Sequence, residues 1–298
     1  MYRCTKYDGT IEIRTLKQIQ NYVDATNCLE SLYSYFIARY REVQPFPCGY
    51  CPECLKKKSS DWATRCFLES KEFKHSCFLT LTYDDDKLDV YGSKDYEPLR
   101  GISLIKKDLQ KFLKRLRYRL DVQLGIKIKF FACGEYGDKN GRPHFHVLLY
   151  NYDFPDKKNS VVMRSHKGFG IYESPFLNDL WKYGLASIQE VTSDSCNYVS
   201  KYILKKKYGM SNDYKYNALY NNNIIRLEKE YNTMSKREPI GKRYFMKHYN
   251  ELFERGRIAV GKGCLRGLPK VFMDWLKKID FDLWISESIK RIKNLKLE

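Results

Sequence analysis

The stretch IKIKFFACGEYGDKNGRPHFHVLLY, Ile126–Tyr150, reads as two strands folded back on one another around a turn at Asp138–Pro143, where Gly137, Gly141 and Pro143 interrupt the apolar alternation. On the second strand, a period of two puts Phe145, Val147 and Leu149 on one face and His144, His146 and Leu148 on the other. On the first, Phe131, Cys133 and Glu135 share one parity, and the turn brings Glu135 roughly opposite His144. Two imidazoles and a carboxylate on one face form a set that divalent cations accept, with positions left for substrate oxygens. A single histidine on a strand is more often a surface or hydrogen-bonded structural residue. A His-x-His pair beside a Glu-bearing strand reads instead as ligands.

Outward from this hairpin, the flanking segments supply the rest of a sheet. CFLTLTY, Cys77–Tyr83, alternates Leu79, Leu81 and Tyr83 with Thr80 and Thr82. SLIKKDLQKFLKRLRYRL has Ile105, Leu109, Phe112 and Leu116 at helical spacing with a basic outer surface, Lys106 to Arg119. SPFLNDLWKYG is a short helix stopped by Gly184. LASIQEV is another strand, and SDSCNYVSKYILKKK is a helix opened by capping residues near Ser193 and Asp194. The order strand, helix, strand, strand, helix, strand, helix predicts an α+β fold: an antiparallel sheet backed by helices on one face, in a ferredoxin-like or split βαβ arrangement with N- and C-terminal extensions. If the helices cover the Phe145 face, the histidines lie on the open one. The expected divisions are an N-terminal segment over 1–47 with a helix near Asn27–Tyr40, a Cys-rich segment over 48–74, the core over 75–208, and a basic C-terminal region over 209–298 that closes in an amphipathic stretch.

Composition points to a polyanionic partner. The 298 residues carry 54 Lys and Arg against 36 Asp and Glu, a formal charge of +18, and 43% of them are hydrophobic, enough for a substantial core. Aromatic residues make up 15%, including 25 tyrosines, a mixture that suits single-stranded nucleic acid. The polar N-terminus predicts no secretory signal, and no 18-residue apolar stretch predicts a membrane span. Ten cysteines without a signal predict a reducing compartment, the cytoplasm.

Two further clusters carry chemistry. In NYVSKYILKK, Tyr198 and Tyr202 lie one helical turn apart, flanked by Lys201 and Lys205, which can neutralise a phosphate or favour phenolate. Tyr216 and Tyr220 share the spacing but sit in an asparagine-rich tract. Cys48, Cys51, Cys54 and Cys66 could hold a structural zinc, or stay free and packed, with Cys77, Cys133 and Cys196 as alternative partners. Lys56, Lys57 and Lys58 could touch phosphate, although an exposed charge run is more often solvated. Thr80 and Thr82 could contact DNA or be ordinary strand threonines. Asp84, Asp85 and Asp86 read as a solvated acidic loop.

The ordered set FLTLTY, GEYG with GRPHFH, and YVSKY resembles the three motifs of the HUH endonucleases, and of rolling-circle replication initiators in particular. PCGYCPEC, DWATRC, LWKYG, SKREPIGKRYF and LPKVF further resemble the gokushovirus branch of the Microviridae, over roughly 45–272. The chain departs from that pattern at Glu238 and Pro239, where Pro-Gly is expected before Ile-Gly.

The resemblance implies an HUH nuclease core with His144 and His146 as ligands of Mg²⁺ or Mn²⁺ and Glu135 as the third. It implies that Tyr198 or Tyr202 attacks a DNA phosphodiester at a replication origin, leaving a 5′-phosphotyrosine and a free 3′-OH, and that the second tyrosine resolves the displaced strand. With no Gly-x-x-x-x-Gly-Lys-Ser/Thr stretch, a host helicase and polymerase would supply unwinding and synthesis. A mobilisation relaxase and a non-catalytic nucleic-acid-binding protein are the alternatives.

Overall fold

A computed structural model describes residues 2–14, 39–45, 47, 49, 51–88, 94, 97–138, 140–157, 163–164, 168–208, 216–261 and 263–294. It forms two compact units, Met1–Leu55 and Lys56–Glu298. In the first, strands β1 (Tyr2–Lys6), β2 (Ile11–Arg14) and β3 (Tyr40–Pro45) form an antiparallel sheet with β1 in the centre. The β1–β2 turn is closed by Asp8, whose Oδ1 accepts from the Thr10 amide at 2.8 Å. The buried Tyr40 donates its hydroxyl to Glu12 at 3.1 Å. The helix expected near Asn27 falls outside the described residues, and Tyr40 opens a strand.

The second unit is built from α1 (Pro52–Lys71, whose first turn precedes the boundary), β4 (Ser76–Tyr83), α2 (Lys106–Arg117), β5 (Lys129–Tyr136), β6 (Pro143–Tyr150), the short pair β7 (Met163–Arg164) and β8 (Gly170–Ile171), α3 (Pro175–Trp181), β9 (Gly184–Glu190) and α4 (Ser193–Tyr208). There follow β10 (Asn217–Tyr220), β11 (Asn223–Arg226), β12 (Tyr231–Met234), α5 (Lys242–Arg255), β13 (Arg257–Ala259), β14 (Leu265–Gly267), α6 (Lys270–Ile279) and α7 (Phe281–Asn294). The central sheet is antiparallel throughout, in the order β12-β5-β6-β4-β9. The expected α+β succession from β4 to α4 is present. β12 is an addition that the sequence did not announce.

The Phe145 face carries the main core. Leu79, Leu81, Ala132, Phe145, Val147 and Ile188 are almost wholly buried against α2 and α3. Burying each such leucine contributes about 2 kcal/mol. α2 forms because Leu109, Phe112, Leu113 and Leu116 recur along one side, while Lys107, Lys114 and Arg117 face outward. Its one buried charge, Asp108, is matched: Arg100 binds both carboxylate oxygens at 2.8 and 3.1 Å, and Tyr83 donates at 2.9 Å. Ser174 caps α3, and Lys182 ends it in a left-handed conformation. Gly184 then opens β9, because a Cβ there would lie 2.1 Å from the Thr82 carbonyl oxygen.

The histidine face is partly roofed. Ala63 and Cys66 of α1 and Cys196 and Val199 of α4 pack over Phe131, Cys133, Leu148 and Tyr150. α4 starts at a reciprocal cap, in which Thr192 Oγ1 accepts from the Ser195 amide and Ser195 Oγ accepts from the Thr192 amide. Asn232 of β12 donates to the Val199 carbonyl at 3.1 Å, so the added edge strand also holds α4. A third cluster joins Leu68 of α1 to Phe245, Phe272 and Leu276 of α5 and α6. The closing amphipathic stretch is two helices, broken at Asp280, whose Oδ1 caps α7 by accepting from Leu283.

Candidate active site

The register of the sheet assembles the site at one end of β4, β5 and β6. Glu135 pairs directly with His144, and Cys133 with His146, while on the other side of β6 Thr80 pairs with His146 and Thr82 with His144. Glu135, His144, His146 and Thr80 consequently meet on one face, where α4 brings Tyr198 down from above. One oxygen is the focus: Glu135 Oε1 lies 2.6 Å from His144 Nε2, 2.9 Å from His146 Nε2 and 2.6 Å from the Tyr198 hydroxyl.

The outer nitrogens of both rings are fixed. His144 Nδ1 lies 3.0 Å from the Arg142 carbonyl, which can only accept, so Nδ1 carries a proton. With Nε2 also within hydrogen-bond reach of a carboxylate, His144 is the doubly protonated imidazolium here. His146 Nδ1 lies 3.0 Å from Thr80 Oγ1, and its ring stacks on Phe78 at 5.2 Å. Both Nε2 atoms are aimed at the same point, the arrangement in which outer partners orient metal-binding imidazoles.

Charge and burial set the protonation states. Burial alone would raise the Glu135 pKa, but hydrogen bonds from the two imidazoles, the charge of His146 and the Tyr198 hydroxyl override it and bring it down to about 2. Burial opposes protonation of His144, and the Glu135 carboxylate outweighs it, so that pKa is raised. For His146 burial prevails over the same carboxylate and the pKa is lowered. Tyr198 is driven far up, first by burial and then by its bond to Glu135, so it stands as a phenol.

The donor set fits a divalent cation. Glu135, His144 and His146 are, among the described residues, the one group of at least three acidic, His or Cys side chains whose ligand atoms lie within 4.8 Å of one another. Glu135 is 2% exposed, and its Oε2 is buried without a hydrogen-bond partner, which suits a ligand atom for a cation. Asp84, Asp85 and Asp86 stand apart from this group: Asp85 pairs with Arg142 at 2.5 Å, and Asp84 Oδ1 accepts from the Asp86 amide.

Tyr198 is 41% exposed and opens onto a cleft of about 380 Å³ that is lined by Lys56, Ser59, Ser60, Asp194, Asn197, Lys201 and Arg266 as well. Lys56 arrives on α1, and Lys201 lies three residues along α4. Arg266 of β14 had no signal in the sequence and enters only through tertiary packing, its guanidinium donating to Asn197 Oδ1 at 2.6 Å. Three cations against one carboxylate make this cleft a place for phosphate. Tyr202 and Lys205 occupy the next turns of α4, but their side chains lie outside the described residues. Thr82 is half-buried beside His144 in register, and Lys57 is engaged with Asp61 at 2.8 Å.

The four cysteines do not assemble one zinc site. Cys54 and Cys66 lie on the same continuous helix, 12 residues apart, which at 1.5 Å per residue is about 18 Å. Cys66 is instead core, its thiol pushed up to about 12 by burial. Cys51 and Cys54 are half-buried, and Cys48 lies outside the described residues. Cys133 and Cys196, offered as alternative partners, are packed in the same buried layer as Cys66, while Cys77 is buried on the other face of the sheet.

Comparison with known proteins adds the family context. Residues 76–207 match the family described by its ORF2 members as replication-associated protein. Over 250 residues the chain is 32% identical to the replication-associated protein VP4 of Bdellovibrio phage phiMH2K, covering 82% of this chain and 71% of that protein. It is 31% identical to the replication-associated protein ORF4 of Chlamydia phage 1, over 79% of this chain and 54% of that protein. It is 33% identical to the replication-associated protein ORF2 of Spiroplasma virus 4, over 76% and 66%. No solved structure matches the chain.

Proposed function

Because this chain belongs to the family of replication-associated proteins of Microviridae phages, we propose that it initiates replication by nicking and rejoining single-stranded DNA at an origin. The observation that carries this reading is the convergence of Glu135, His144 and His146 within 4.8 Å, with the Tyr198 hydroxyl 2.6 Å from the same carboxylate oxygen. A phosphate whose oxygens approach the ligand group from the Tyr198 side puts its phosphorus beside a tyrosine oxygen, with Lys201, Lys56 and Arg266 along the flanking strand.

Mg²⁺ or Mn²⁺ held by Glu135, His144 and His146 would polarise the non-bridging oxygens of the scissile phosphate and offset charge in an in-line displacement. The chain's own part begins at Tyr198. Its phenolic oxygen forms a bond to phosphorus, the bond from phosphorus to O3′ breaks, the phenol proton leaves to solvent, and O3′ takes one back. The phosphodiester energy is kept in a 5′-phosphotyrosine, so the reverse attack by a 3′-OH rejoins the strand without a nucleotide cofactor. Lys201, one turn along α4, favours the phenolate through its charge. Tyr202, on the following turn, is the second nucleophile for cutting the regenerated origin. A host helicase and DNA polymerase in the bacterial cytoplasm are the partners that the free 3′-OH calls for. Among the described residues no helix is long and apolar enough to cross a membrane.

The test is incubation with a single-stranded origin oligonucleotide in Mn²⁺ or EDTA, read on a denaturing gel for a protein band shifted by DNA. The expected result is a metal-dependent adduct in wild type, lost in His146→Ala and in the Tyr198→Phe, Tyr202→Phe double variant. Binding without an adduct, for every metal and origin fragment tried, would leave a nucleic-acid-binding protein and overturn the nuclease reading.

A further inference from the structure

We propose that a second, basic cleft at the opposite end of the sheet binds the phosphates of duplex DNA flanking the nick. The cleft, about 870 Å³, lies where β5 begins and β6 ends, with residues after β12 and the start of α5 closing it. Lys129 lines it while Glu135 lies six residues along the same strand, so the two sites are roughly 20 Å apart at 3.3 Å per residue. Six cations line the cleft against two acids. Two of the six are committed: Lys129 is held by Glu69 and Glu238, and Arg243 by Glu238. The other four, Arg117, Lys127, Lys236 and Arg237, are exposed and, among the described residues, have no acidic partner within 4 Å.

Like charges gathered around one concavity repel one another until a polyanion neutralises them. Their backbone is fixed, which separates them from a solvated charge run. The Ser235 amide donates to the Phe130 carbonyl at 3.0 Å, and the Phe130 amide donates to Ser235 Oγ at 3.1 Å, so Lys236 and Arg237 leave an anchored point of β5. Arg117 is braced over the Phe130 ring at 5.2 Å. The lining also favours duplex over single strand. Its one aromatic residue, Phe73, is half-buried, lies under the Arg243 guanidinium and stacks on Tyr150, so no free ring is presented for unpaired bases. What remains is a surface for phosphates alone. At 3.4 Å per base pair, a flank of about six pairs spans from nick to cleft.

This inference rests on DNA as the partner but not on nicking, and its test is run in EDTA, where no chemistry occurs. Binding of a blunt 30-bp duplex (about 30, well beyond the six needed) and of a short single-stranded origin oligonucleotide is measured against salt, for wild type and for Lys236→Ala with Arg237→Ala. Loss of two phosphate contacts should weaken duplex binding about tenfold and reduce the slope of log affinity on log salt by about 2, at about 0.9 per contact, with single-strand binding unchanged. Arg117→Ala with Lys127→Ala, on different elements, should do the same, which separates the effect from local misfolding. Unchanged duplex affinity and slope in both pairs would overturn the proposal, as would an equal loss for the short single strand. A wild type that binds duplex yet never forms a covalent adduct would sink the nuclease reading and leave this one standing.

Discussion

Tyr198 donates its hydroxyl to Glu135 Oε1 across 2.6 Å, so the candidate nucleophile and a candidate metal ligand share one oxygen. That bond keeps Tyr198 a phenol, and it also occupies a coordination position. Loading the site with a cation therefore requires the bond to weaken, which ties activation of the tyrosine to occupation of the ligand group.

Removing the hydroxyl should accordingly abolish the adduct at this residue without harming metal binding. For Tyr198→Phe, the affinity for Mn²⁺, measured by electron paramagnetic resonance or calorimetry, is expected to equal or exceed that of wild type. A drop of tenfold or more would mean that Tyr198 is itself needed to build the site, against the role assigned to it.

Metal binding should also be linked to pH through His144. Its pKa is raised, and its protonated form contributes stability that is present below the ordinary histidine value of about 6.5 and lost as pH rises through the raised value. A cation needs the Nε2 lone pair, so it competes with that proton. Mn²⁺ affinity should climb about tenfold per pH unit on the acid side and level off once His144 is neutral, with one proton released per ion bound. Identical affinities at pH about 6 and about 8, without proton release in buffers of different ionisation enthalpy, would show that His144 is not a ligand.

Much of this site was legible because strand periodicity is local. The alternation of HFHVLLY puts both histidines on one face, and a short hairpin fixes Glu135 opposite His144 to the residue. α1 was obscured by its own cysteines: Ala63 and Cys66 are helical core positions, and Cys-x2-Cys spacing invites a metal reading that a continuous helix forbids. β12 has four residues with no alternation, all half-buried, and is a strand only because the edge of β5 offers it partners. Arg266 reaches the cleft beside Tyr198 from 68 residues down the chain, a distance that no periodicity bridges.

Gly184 tests the fold that holds the site. An added Cβ would sit 2.1 Å from the Thr82 carbonyl oxygen and 2.5 Å from the Asp84 amide, both backbone atoms that cannot yield without separating β9 from β4. Gly184→Ala should cost about 3 kcal/mol and lower Tm by about 10 °C, read by thermal unfolding followed by circular dichroism. A Tm within about 2 °C of wild type would mean that the two strands approach less closely than described.

Thr80 separates an orienting role from a merely structural one. It faces His146 across β4 and β6, with Oγ1 3.0 Å from Nδ1, so it holds the imidazole with its Nδ1 proton outward and Nε2 toward Glu135. Thr80→Val keeps the branched shape and removes the acceptor, whereas Thr80→Ser keeps the hydroxyl. The valine variant should lose about 10- to 100-fold in Mn²⁺ affinity, the serine variant should recover most of it, and unfolding temperatures should differ little between the two. If both variants bind Mn²⁺ as wild type does, His146 is oriented by its stacking on Phe78 and its pairing in the sheet, and the threonine is an ordinary strand residue.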